Sequence, residues 1–65
     1  MPTTTEQIAF DHMLAEYGRA TINAALHRGI ASNDDNVRKA MTDLMDCQNL
    51  LWQAAERLAY KMQNP

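Results

Sequence analysis

Val37, Leu44, Leu51 and Leu58 recur every seven residues, and Met41, Gln48, Ala55 and Met62 recur in step with them. An apolar repeat of this period marks a long helix with a continuous seam along one side. A seam must be covered, and a chain of 65 residues has few elements to cover it with. The repeat therefore constrains the architecture more than any other feature.

Two helical segments account for the chain. Thr3 or Thr4 can cap the first, with Glu6 or Gln7 three residues on as capping-box partner. Its apolar periodicity lasts to about residue 28, and Gly29 falls where a left-handed residue would end the helix. Residues 29–33 are the connector. Ser32 or Asn33 caps a second helix over about 34–62, with Asp34 and Asp35 in its first turn, where the helix dipole favours acidic groups. Asp34–Arg38 and Asp35–Lys39 have the i,i+4 spacing of helix ion pairs. No proline interrupts either segment, and no alternating strand pattern occurs. So short a connector makes the helices antiparallel neighbours in an all-α hairpin of one domain.

In that pairing Phe10 faces Ala54 and Ala55, Leu14 faces Leu51, and Tyr17 faces Gln48. Arg19 comes near Asp46, and Asp11 near Arg57. The expected hairpin core is Phe10, Leu14, Tyr17, Leu44, Gln48, Leu51, Ala55 and Leu58, with Met13, Thr21 and Ala24 on the same stripe of the first helix. Gln48 is the polar exception, expected to meet the Tyr17 hydroxyl or to set register.

The first helix has more apolar surface than one partner covers. Ile8, Ala15, Ile22 and Leu26 form a second stripe, displaced from the first by more than a quarter turn. Nearby Ala15, Gly18 and Ala25 leave room for another backbone. His12, Glu16, Arg19, Asn23 and His27 fill the remaining arc. A chain this small folds alone only with good packing, and otherwise relies on a disulfide, a metal or self-association. Cys47 is the only cysteine, so no internal disulfide forms, and no Cys/His set has zinc spacing. We therefore expect a homo-oligomer, a dimeric four-helix bundle, with Ile8, Ala15, Ile22 and Leu26 at its interface.

Little in the sequence points to chemistry. His12 and Glu16 have a metal-compatible i,i+4 spacing, but nothing nearby completes a ligand set, and a solvated face explains them. Cys47 follows Asp46, whose charge opposes a thiolate, and reads as a small buried apolar residue. Gly18 and Gly29 are the only glycines, so there is no phosphate-binding loop. No enzyme, cofactor or metal is expected.

The net charge of −2 does not favour general nucleic-acid binding. Arg19, Arg28 and Arg38 could still form a short basic strip. Met1-Pro2-Thr3-Thr4-Thr5 lacks a signal-peptide pattern, and no apolar run approaches the ~20 residues of a membrane span. A reduced, cytoplasmic setting without membrane contact is the expectation. The length and two-helix layout resemble those of the plasmid RNA-binding regulator Rop. That resemblance lies in layout, not in a motif, and implies fold alone.

The reading that follows is a small non-catalytic protein that binds itself and a cytoplasmic protein partner. It would act as a regulator, inhibitor or adaptor of the kind phages and mobile elements carry. Leu50, Trp52, Tyr60, Arg28 and Arg38 are the candidate partner-binding residues. The alternatives are an RNA-binding hairpin dimer and a nucleotide sponge with pockets between subunits.

Overall fold

The structure, a computed structural model, describes residues 4–30 and 33–64. It consists of two helices, α1 (Thr5–Gly29) and α2 (Asp34–Gln63), packed against each other as a hairpin. Both starts are capped as their sequences require. Thr4 lies in extended backbone, and its hydroxyl accepts a hydrogen bond from the Gln7 backbone N–H at 3.1 Å. Gln7 does not return the bond to Thr4. Its side-chain amide donates to Asp11 at 3.0 Å, so half of the capping box forms. Asn33 caps α2 by accepting from the Asn36 N–H at 2.9 Å. Ser32, the other candidate cap, lies outside the described residues.

The end of α1 differs from expectation. Gly29 is the last helical residue, with no left-handed backbone, and the chain leaves through Ile30, whose N–H donates to the Leu26 carbonyl at 3.0 Å. In the first turns of α2 the ion pair is Arg38–Asp35 at 3.8 Å, at i,i+3, in place of either i,i+4 pair. Both groups are more than three-quarters exposed, so the pair contributes little.

Among the described residues those that are buried are all small: Ala20 and Ala24 from α1, and Ala40, Cys47 and Ala54 from α2. Small side chains on the line of contact let helices approach closely. Phe10, Met13 and Tyr17 of α1 and Val37, Leu44, Leu51 and Leu58 of α2 flank that line and are half-buried. The seam of α2 therefore consists of Val37, Leu44, Leu51 and Leu58 interleaved with Ala40, Cys47 and Ala54. The row of Met41, Gln48, Ala55 and Met62 lies one step round the helix.

Two members of the expected core are displaced by this rotation. Leu14 is 51% exposed, and Gln48 is exposed. Among the described residues no hydrogen bond joins Gln48 to Tyr17, which is half-buried. Thr21, also expected on the stripe, is exposed, and its hydroxyl donates to the Tyr17 carbonyl at 2.8 Å. Ala20 takes the inward place instead. The reason is geometric: the closest approach of two helices selects the smallest side chains, whereas counting apolar bulk selects the largest.

The molecule is a rod of 48 × 18 × 12 Å with a radius of gyration of 14.8 Å. A compact chain of this length has a radius near 10.7 Å by the usual size scaling, roughly a quarter smaller. Two helices side by side are one layer, and a layer has two open flanks.

Candidate interaction surface

The flanks of the hairpin are chemically unlike. One is marked by Arg19, which pairs with a carboxylate on each helix. Arg19 Nη2 lies 3.3 Å from Asp43 Oδ2 of α2, and its Nε donates to Glu16 Oε2 at 3.2 Å. These two acceptors hold the Arg19 guanidinium above its usual pKa, Glu16 contributing most. Asp46, expected as the partner of Arg19, is exposed, and Asp43, one turn earlier, makes the contact. Among the described residues no ion pair joins Asp11 to Arg57.

On the buried side of Asp43, the Cys47 thiol donates to Oδ1 at a long 3.9 Å. Burial pushes this thiol above its ordinary pKa, and the Asp43 carboxylate adds to the effect. The group is held neutral, which is the opposite of an activated nucleophile. Glu16 is committed to Arg19 and His12 is exposed. Among the described residues no three His, Cys, Asp or Glu side chains gather as metal ligands.

Among the described residues the other flank has no ion pair between the helices and is uncharged on its α2 side, while its α1 side carries the exposed Asp11, three residues before Leu14. Met41, Gln48, Ala55 and Met62 interleave there with Met45, Trp52 and Ala59, at alternating spacings of four and three residues. The stripe runs for 22 residues of α2 without a charge, on a helix whose other surface positions are mostly polar. Met45, Trp52 and Met62 are 65–73% exposed. Met45, Asp46, Gln48, Asn49 and Trp52 line an open hollow beside it. Leu14 of α1 follows Phe10 by four residues, as Met41 follows Val37, and so lies on the same flank. This second stripe was visible in the sequence through its four-three spacing. It is easily overlooked because Met41, Gln48, Ala55 and Met62 also fit the main seam.

Ile8, Ala15 and Ile22 form one exposed row along the back of α1, between the two flanks. Leu26, 55% exposed, is seven residues beyond Arg19 and belongs to the charged side. The candidate partner-binding residues are likewise split. Trp52 sits on the uncharged stripe of α2. Leu50 is seven residues beyond Asp43, on the charged flank, and Tyr60 continues the row of Lys39 and Asp46 beside it. Arg28 and Arg38 are exposed near the connector.

Among the described residues ten large apolar side chains are 48–73% exposed, and no large one is fully buried. Apolar residues on both sides of α1 leave it only weakly amphipathic, while α2 is strongly so. No helix among the described residues is long and apolar enough to cross a membrane. No protein-family model matches the chain, and no curated protein or solved structure shows significant similarity to it.

Proposed function

We propose that this hairpin is half of a homodimeric four-helix bundle. Its role is that of a small, non-catalytic interaction protein, a regulator, inhibitor or adaptor of a cytoplasmic protein partner. The observation that carries the proposal is surface. The chain exposes 5154 Å², whereas a compact monomer of 7.4 kDa exposes about 4200 Å² by the usual scaling. The excess, about 950 Å², is of the order of the ~800 Å² that each partner buries in a standard interface. Among the described residues the buried core is four alanines and one cysteine, too slight to hold 65 residues in place by itself. Large exposed apolar patches on small proteins mark protein interfaces. A neutral buried thiol suits a reducing compartment.

Light scattering at micromolar concentration should give at least twice the 7.4 kDa chain mass. The melting temperature should rise with concentration, as mass action requires. A folded monomer whose melting temperature is independent of concentration overturns the proposal. RNA binding is the weaker alternative, because Arg19 is already engaged by two carboxylates and the remaining basic residues are dispersed. Salt-dependent binding to a structured RNA would favour it.

A further inference from the structure

We propose that the second copy docks on the flank formed by the uncharged stripe of α2, against Met45, Trp52 and Met62 and, from α1, Leu14, and leaves the Arg19–Asp43 flank facing outward. This rests on the dimer proposed above and specifies which surface makes it. Three observations carry it. The flank is the one long surface of α2 without a charged side chain, and interface cores are depleted of charge and enriched in methionine and aromatic residues. Trp52 stands at its centre with 68% of its surface exposed, and tryptophan is among the residues that most often anchor interfaces. The excess surface per chain matches what one such face buries.

The occupant is a second copy because the need for cover arises during folding. The seam of α2 is covered by α1, but a single layer of two helices has no second layer to bury its Met45–Trp52–Met62 stripe against. The cover must be present whenever the chain is, and only the chain itself meets that condition. A two-fold axis lets each hairpin present the same flank to the other. The opposite flank, with Leu50 and the ion pairs, then remains open to solvent and to any further partner.

Trp52 is the only tryptophan, so the unaltered protein carries its own probe. Acrylamide quenching of its fluorescence is measured beside sedimentation equilibrium over a dilution series. In the dimer the quenching should be several-fold weaker than in the urea-unfolded chain, and it should strengthen as dilution dissociates the dimer. Absence of any dimer in sedimentation defeats the underlying dimer reading. A dimer whose Trp52 is quenched as readily as in urea keeps that reading and overturns the docking face. Met45→Glu should weaken association by about tenfold or more, since it buries an unpaired charge, while Leu50→Glu should leave the dimer intact. Dissociation by Leu50→Glu with Met45→Glu still dimeric would place the interface on the other flank. If Met45→Glu fails to fold, the quenching experiment decides alone.

Discussion

Arg19 of α1 reaches Asp43 of α2 at 3.3 Å, and this is the ion pair among the described residues that ties one helix to the other. It therefore reports the register of the hairpin. Both side chains are about half exposed, so solvent screens the attraction and its weight in stability is small. Its value as a test lies in direction. Arg19→Asp sets a third carboxylate beside Glu16 and Asp43 and should lower the melting temperature. Asp43→Arg should do the same by facing Arg19 with a like charge. Combining the two restores opposite charges across the hairpin and should recover part of the loss, less so at high salt. Strictly additive losses would show that these positions do not meet.

Ala54 and Gly18 offer a contrast in space. Ala54 is 5% exposed on the line of closest helix approach, where added atoms force the helices apart. Ala54→Leu should destabilise the protein by about 1–3 kcal/mol, the usual cost of overpacking. Gly18 is exposed, and a Cβ placed there meets nothing within 4 Å in the hairpin. Gly18→Ala should therefore stabilise by roughly 0.5–1 kcal/mol through helix propensity. Urea unfolding of both variants measures the two signs. A loss of stability for Gly18→Ala would put the backbone of the second copy directly over this residue.

The two helices and their N-caps were legible in the sequence because they depend on local chemistry, whereas the left-handed stop expected at Gly29 did not form. Thr4, Asn33 and the proline-free stretches act within one or two turns of chain. The row of Val37, Leu44, Leu51 and Leu58 was legible for the same reason: its period is that of one helix. The rotation of each helix toward the other was not. It depends on which side chains are small enough to let two backbones approach, a property of the pair. Ala20 and Cys47 lie at the contact line and carry little apolar bulk, so a search for large residues passes over them. Leu14 and Gln48 were drawn inward by the same weighting. The two flanks could have been separated from sequence, since Asp43, Leu50 and Arg57 recur by sevens on one and Met45, Trp52 and Ala59 on the other. Knowing which flank faced which needed the Arg19–Asp43 contact.

The Cys47 thiol gives the protein a pH dependence of predictable sign. Burial and the neighbouring Asp43 carboxylate raise its pKa in the folded state. The unfolded chain loses the thiol proton near the ordinary value, about 8.5, while the folded chain keeps it to higher pH. Stability is therefore full below that value and falls as pH rises through it toward the folded pKa. Thermal melts from pH 7 to 10 should show a downward slope that is shallower in Cys47→Ala. The same burial should make the native thiol slow to alkylate and the urea-unfolded thiol fast. Equal slopes in the two proteins would mean that the thiol is not shielded from water.

Gln48 is exposed in the hairpin, yet it lies midway along the uncharged stripe, with Met45 and Trp52 three and four residues away. Covered by a second copy, its amide would be the polar member of an apolar interface. A buried amide there costs stability unless it finds a partner, and it penalises every register in which it finds none. Gln48→Leu removes that desolvation cost and adds apolar burial. It should therefore strengthen the dimer by roughly 1–2 kcal/mol while broadening the distribution of assembly states. Sedimentation velocity reads both effects, as a lower dissociation constant and as species larger than the dimer. Tyr17 provides the control. Its side chain is half-buried within the hairpin and makes no hydrogen bond to Gln48 among the described residues. A double-mutant cycle of Gln48→Leu with Tyr17→Phe should give a coupling energy near zero. Substantial coupling would show that the two side chains meet, and that α2 is rotated to bring its Met41–Gln48–Ala55 row against α1. No change in self-association on Gln48→Leu would mean that the stripe stays in water when the protein assembles.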